Sequence, residues 1–411
     1  MKLYRDIHWY QIVFLIQLLH SVAAKPRVII PLRVVRTVSQ HYVWCLSEGT
    51  PPINISLINS STTLGFGKGM VWSKINQDGN YSCIATNDNG TDSKTFYVSL
   101  IDFHVCVNLC YCGSTADRDQ VKNKFRCFGK HSADILNIII PTTTTDLWIE
   151  NNKISQLPEK VFSGLTSLQN LWIENNKISQ LPEKVFSGLT SLQNLSISNN
   201  NISQLPEKVF LGLASLHRLW ISNNNISQLP EKVFSGITSL QWLQIKKNKI
   251  SQLPENVFSG LASLQELWIE NSNISQLPEN VFSGLTSLQD LEINNNKISQ
   301  LPEKVFSGLT SLRSLEINNN KISQLPEKVF SGLTSLLWLE ISNNNVSPLP
   351  EKVFSELTYL ISLWITNNNV SQLPEEVFSG LTNLRFLGIS NNNVSQLPEK
   401  VLSGLTNLQW L

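Results

Sequence analysis

Residues 168–191 read Leu-Gln-Asn-Leu-Trp-Ile-Glu-Asn-Asn-Lys-Ile-Ser-Gln-Leu-Pro-Glu-Lys-Val-Phe-Ser-Gly-Leu-Thr-Ser, and nearly the same phrase returns along the rest of the chain. Prolines at 158, 182, 206, 230, 254, 278, 302, 326, 350, 374 and 398 keep an unbroken spacing of 24. Eleven full units run from Thr144 to Asn407, and Leu408-Gln409-Trp410-Leu411 opens a twelfth. A short fixed period of this kind describes stacked supersecondary units, each of which can bury its apolar face only against its neighbours.

Within a unit the pattern is L-x-x-L-x-I-x-x-N-x-I-x-x-L-P-x-x-x-F-x-x-L-x-x, carried here by Leu168, Leu171, Ile173, Asn176, Ile178, Leu181, Pro182, Phe186 and Leu189. Leu171 and Ile173 alternate with Trp172, a period of two that puts the aliphatics inside and the indole outside on a short parallel strand. Asn176 stands where the chain turns inward, and a buried amide there can satisfy backbone groups that the turn leaves unpaired. The column runs through Asn152, Asn176, Asn200, Asn224, Asn248 and then Asn296 to Asn392, broken once by Ser272, whose shorter hydroxyl should bridge less well. Phe162, Phe186 and their successors to Phe378 form a core column that ends at Leu402. Proline in Leu-Pro-Glu fixes φ and removes a donor, so the convex side is expected to carry turns and short helical pieces. This pattern resembles the extracellular leucine-rich repeat.

Upstream, Cys106-x3-Cys110-x-Cys112-x14-Cys127 resembles the amino-terminal cysteine cap of the Slit group, the small leucine-rich proteoglycans and the variable lymphocyte receptors. That resemblance implies pairing of Cys106 with Cys112 and Cys110 with Cys127, although four cysteines allow three pairings and a zinc site is the alternative use of such a cluster. Residues 25–102 have another texture, with short β-branched runs between Gly, Pro, Asn and Asp and no 24-residue echo. Cys45 and Cys83 lie 38 apart, and Tyr81 precedes the second cysteine by two, the tyrosine-corner position that makes this stretch resemble an immunoglobulin domain. Leu57 stands where that family has its core tryptophan, and Gln77 stands where it usually has aspartate, with Asp78 one later.

Residues 1–24 read as a secretory signal, with Lys2 and Arg5 before the apolar run from Gln11 to Leu19 and small residues at Ser21-Val22-Ala23-Ala24; a retained signal anchor is the alternative. The fold class expected is therefore multidomain: a signal peptide (1–24), an all-β immunoglobulin-like sandwich (25–102), a cysteine cap (103–143) and a leucine-rich repeat solenoid (144–411) with its parallel β-sheet on the concave face. Because Leu408 and Leu411 are apolar and no second cysteine cluster follows, the chain is expected to be part of a longer protein.

Charge removes one function class. Lys and Arg number 32 against 31 Asp and Glu, and without Lys2, Arg5 and Asp6 the balance is 30 against 30, with none of the cationic surplus that nucleic-acid binding needs. No phosphate loop, zinc-protease motif or serine elbow is present, and the six histidines are scattered. No metal or cofactor is expected. The best catalytic candidates are Glu292, Glu316 and Glu340, on adjacent strands about 4.8 Å apart, near the roughly 5–5.5 Å of a retaining glycosidase, but an open concave sheet gives little enclosure.

Comparing repeats with one another is more informative. The convex phrase scarcely changes, whereas the two outward strand positions vary, and eight of the eleven tryptophans fall on them. Ligand-binding residues expected on the concave face are Trp148, Trp172, Trp220, Trp242, Trp268, Glu292, Glu316, Trp338, Glu340, Trp364 and Phe386. The tryptophans could also be by-products of repeat duplication, or a shield for their own sheet. The expected function is extracellular recognition or adhesion, with a protein partner on the concave face and the immunoglobulin-like domain as a second interaction module. Glycan binding is the alternative, a glycosidase the remote one, and no nucleic-acid partner or membrane span after signal removal is expected. Glycosylation acceptors are Asn54, Asn59, Asn80, Asn89, Asn194, Asn201, Asn225, Asn273, Asn369 and Asn393.

Overall fold

The computed structural model describes residues 27–29, 35–37, 40–48, 52–59, 62–68, 70–75, 79–98, 105–106, 110–111, 124–127, 140 and 142–411. The signal reading of residues 1–24 and the side chains of the four cap cysteines lie outside the described residues. The chain divides into two compact units, Met1–Cys112 and Gly113–Leu411.

The first unit is built of antiparallel strands. Gln40–Glu48 pairs with Arg27–Ile29, Val35–Thr37 and Met70–Ile75 in one sheet. A second sheet orders Thr62–Lys68, Asn54–Asn59, Gly79–Asn87, Gly90–Val98 and Val105–Cys106. A disulfide joins Cys45 of the first sheet to Cys83 of the second, with Cα atoms 5.7 Å apart. Around it Ile53, Ile55, Leu57, Val71, Tyr81 and Ala85 close a buried core. Leu57 lies opposite Cys83 in register and is fully buried, so an aliphatic fills the space beside the disulfide.

The second unit is a parallel β-solenoid. Lys124–Cys127 pairs with Asp146–Trp148, and from there Asn170–Trp172, Asn194–Ser196, Arg218–Trp220, Trp242–Gln244, Glu266–Trp268, Asp290–Glu292, Ser314–Glu316, Trp338–Glu340, Ser362–Trp364 and Phe386–Gly388 follow in sequence, each residue opposite the one 24 positions on. This register makes every sequence column a physical ladder. The strand leucines and, from Ile149 to Ile365, the isoleucines that follow the strands are buried, and the phenylalanine rings stack at 6.0–6.3 Å from Phe162 to Phe378. Asn176 Nδ2 donates to Ile149 O at 2.7 Å and Glu174 O at 3.1 Å, while its Oδ1 accepts from Ile154 N at 3.2 Å, so one side chain stitches two coils. The residue before each ladder asparagine has φ of 53–58°, a left-handed turn tolerated by Asn in every repeat except at Lys247.

On the convex side the expected turns are present but the short helical pieces are not: among the described residues it holds turns and no helix. Val185 N, Ser187 N and Leu189 N donate to Pro182 O, Lys184 O and Phe186 O, i→i+3 bonds at alternate residues, whereas a 3₁₀ helix needs them at consecutive ones. Gly188, at φ 86°, ends the run before a helix can propagate.

Candidate recognition surface

Parallel strands about 4.8 Å apart bring side chains of one column closer than the width of an indole, so a tryptophan on this sheet must lean on a neighbour. Seven of the eight outward tryptophans accordingly form three groups. Trp148 and Trp172 stack with centroids 4.7 Å apart and planes at 3°. Trp242 lies 6.5 Å from Trp220 and meets Trp268 edge-on at 4.6 Å. Trp364 lies 5.0 Å from Trp410 and covers Gly388, where an added Cβ would overlap its ring. Leaning leaves most of them half-buried; Trp338, Phe386 and Trp410 remain 41%, 37% and 48% exposed.

Polar groups fill the spaces between. At the N-terminal end, Asn194 Nδ2 donates to Asn170 Oδ1, and Asn170 Nδ2 to Asp146 Oδ1 at 2.7 Å. Ser196, fully buried beside Trp172 and Trp220 in register, has a hydroxyl with no hydrogen-bond partner. In the middle, Lys246 Nζ sits 2.7 Å from Glu270 Oε1, 3.1 Å from Glu292 Oε2 and 3.9 Å from the centre of the Trp268 ring. Asn294 Nδ2 donates to Glu316 Oε2 at 2.8 Å, and Asn318 Nδ2 to Glu340 Oε2 at 2.7 Å. Trp338 Nε1 donates to Glu340 Oε1 at 2.7 Å.

Burial of a carboxylate favours its neutral form, and here like charges add to it. Glu292 is pushed up to about 8 by burial and by its hydrogen bond and charge interaction with Glu270, against Lys246. The neutral form of Glu292 is thereby favoured well above the ordinary glutamate range. Burial acts on Glu270 in the same direction, but hydrogen bonds from Glu292 and Lys246 outweigh it and keep that carboxyl below the ordinary value. Lys246 is raised: burial opposes its charge, and both glutamates override burial. Burial also raises Glu316, with Glu340, Asp290 and Glu270 adding to the shift, and it raises Asp290 and Glu266.

Register brings Glu292, Glu316 and Glu340 into one column, as the sequence predicts. A third column, the residue after each strand isoleucine, adds Lys246 and Glu270, whose charges are legible in the sequence, and Asn294 and Asn318, which a comparison of the repeats at the two strand columns leaves out. Among the predicted glycan acceptors, Asn54, Asn89, Asn201, Asn369 and Asn393 are exposed, Asn225 and Asn273 half-buried, and Asn59 only 5% exposed. The Asn80 side chain lies outside the described residues. Among the described residues no cluster of three His, Cys, Asp or Glu could hold a metal ion, and no helix is long and apolar enough to cross a membrane.

Two family descriptions cover the repeats. The leucine rich repeat matches residues 142–202, 166–226 and 190–250, and the BspA type leucine rich repeat region (6 copies) matches 221–336 and 275–409. The chain is a leucine-rich repeat protein. No curated protein matches it. Among solved structures, this leucine-rich repeat chain is similar to Drosophila Toll in the Toll–Spatzle complex, with 25% identity and a TM-score of 0.59 over 65% of this chain and 36% of that one. TLR13 in the TLR13–ssRNA13 complex is 27% identical, with a TM-score of 0.56 over 65% of this chain and 43% of that one. FLRT2, whose leucine-rich repeats were solved in an octameric complex with Latrophilin 3 and Unc5D, is 27% identical, with a TM-score of 0.55 over 62% of this chain and 77% of that one. The chain thus spans less than half the length of Toll and TLR13.

Proposed function

We propose that this protein is an extracellular recognition or adhesion protein that binds a protein partner on the concave face of its repeats. The observation that carries the reading is the gathering of eight tryptophans on one sheet face, where the solenoid core makes no use of them. Grouped aromatics of this kind supply the desolvated anchors of protein interfaces. Similarity to Toll, solved with Spatzle, and to FLRT2, solved with Latrophilin 3 and Unc5D, supports a protein ligand. TLR13 was solved with an RNA, but here the centre of the face carries Glu266, Glu270, Asp290, Glu316 and Glu340, which repel a polyanion.

In the same reading, residues 25–102 form an immunoglobulin-like sandwich, supported by two antiparallel sheets clamped by Cys45–Cys83 over the buried Tyr81. It serves as a second interaction module. Residues 103–143 are the disulfide cap, residues 1–24 the signal for secretion, and the chain works as a binding module and not as an enzyme. A glycan ligand is the second reading, favoured by the stacked Trp148 and Trp172 beside the row Asp146, Asn170 and Asn194. The test is a screen of the purified full chain against cell-surface and secreted proteins beside a glycan array. A protein hit lost with Trp268→Ala and Trp364→Ala supports the first reading; glycan hits alone, lost with Trp148→Ala, replace it with the second.

A further inference from the structure

Directly after the ladder position, five coils of the solenoid carry lysine and six carry asparagine. Serine follows two positions later in every coil, so each asparagine there opens an Asn-x-Ser acceptor: Asn201, Asn225, Asn273, Asn369 and Asn393, with Asn345 set apart by the Pro348 that follows its serine. Backbone bonds run from coil to coil at this column, Asn201 N donating to Ile178 O and Asn225 N to Ile202 O, both at 2.8 Å, so the acceptors form one row on the flank beyond the C-terminal ends of the strands. Asn201, Asn369 and Asn393 are exposed, Asn225 and Asn273 half-buried, and the serine of each acceptor is exposed. No hydrogen bond among the described residues holds any of these five side-chain amides, and lysine takes the same place in other coils without change of fold. Asn194 is the opposite case. Its Nδ2 lies on the concave sheet, bonded to Asn170 Oδ1, and the serine of its acceptor, Ser196, is fully buried.

Resting on the secretion reading above, we propose that Asn201, Asn225, Asn273, Asn369 and Asn393 carry N-linked glycans in one row, that Asn194 stays bare, and that the row closes this flank to macromolecules while the concave face remains open. In the transfer, Nδ2 bonds to the anomeric carbon of a lipid diphosphate oligosaccharide, the bond from that carbon to the diphosphate oxygen breaks, and the amide gives up one proton. Transfer precedes folding, so a sugar on Asn194 meets a closing sheet, and chains that carry one do not reach the native state. A sugar on the flank meets only solvent. The five acceptors span eight coil spacings of about 4.8 Å, roughly 38 Å, and Lys249 stands between Asn225 and Asn273, one coil from each.

The experiment expresses the full chain in a eukaryotic secretory host and treats the protein from the medium with peptide N-glycosidase in heavy-oxygen water, which turns each glycan-bearing asparagine into labelled aspartate for peptide mass spectrometry. Expected is label at the five flank residues exceeding that at Asn194 by about tenfold or more. Comparable label at Asn194, or a bare flank on a chain labelled elsewhere, would overturn the proposal. Closure of the flank is read with an amine-reactive polyethylene glycol. It should modify Lys249 several-fold more slowly before glycan removal than after, and Lys304, exposed on the convex side, at the same rate in both. An unchanged rate at Lys249 would show the flank open. A chain that stays in the cytosol and carries label nowhere would overturn the proposal together with the secretion reading, whereas a secreted chain with the wrong pattern overturns the proposal alone.

Discussion

At position 272 the asparagine ladder loses one rung. Ile226 N donates to Asn248 Oδ1 and Ile274 N to Asn296 Oδ1, but the equivalent bond from Ile250 N has no counterpart, and the buried Ser272 hydroxyl has no hydrogen-bond partner. Restoring the amide by Ser272→Asn should raise stability by about 1–2 kcal/mol, read as a higher urea midpoint at unchanged slope. A lower midpoint would mean that the coil has closed around serine. Glu292 presents the opposite problem, a proton held where an ordinary glutamate has lost it. The folded chain keeps it to about pH 8, whereas the unfolded chain releases it near 4.5. Stability is therefore expected to fall as pH rises through that window, by on the order of 1 kcal/mol once solvent screening at this half-buried site is allowed for. Glu292→Gln, which cannot ionise, should flatten that part of the melting-temperature profile; an unchanged slope would place the proton elsewhere.

Single strands show how a side chain's reach decides what the surface looks like. Trp364 extends over Gly388, and a Cβ there would overlap Trp364 Cε3 and lie 2.8 Å from Cζ3. Gly388→Ala should lift the indole into solvent, shift tryptophan emission to the red, and cost about 1 kcal/mol in partner affinity. An unshifted spectrum would show that the ring accommodates a methyl group. The consequence of Gly388 was not legible in the sequence, although its column was. Strand register, the phenylalanine stack and the asparagine ladder follow from a 24-residue period combined with alternation, so columns such as Glu292, Glu316 and Glu340 could be named in advance. What the period does not encode is lateral reach: Lys246 crosses from its own strand to Glu292 two strands on, a contact set by side-chain length and burial. On the convex side the expected turns are present and the short helical pieces are not, because the i→i+3 bonds fall at alternate residues and Gly188 stops the run.

For the solenoid as a whole, the three tryptophan groups and the acidic middle divide the work of binding. Charges half-buried on the sheet act over roughly a Debye length, about 8 Å at physiological salt, so they guide an approaching partner more than they hold it. The indoles act only on contact, once water has left. Removing an anchor should therefore change dissociation, and reversing a steering charge should change association. With a partner in hand, Trp268→Ala or Trp364→Ala is expected to cost on the order of 2 kcal/mol or more, mainly through a faster off-rate. Glu316→Lys should slow association at low salt and weaken its dependence on ionic strength, since it cancels part of the field contributed by Glu266, Asp290 and Glu340. Glu303→Ala, exposed on the convex side, should alter neither rate. Stopped-flow association at two salt concentrations, paired with dissociation by surface plasmon resonance, reads both quantities. Equal losses from Glu303→Ala and Trp268→Ala would place the ligand off the concave face, because no contact or field confined to that face reaches both residues alike.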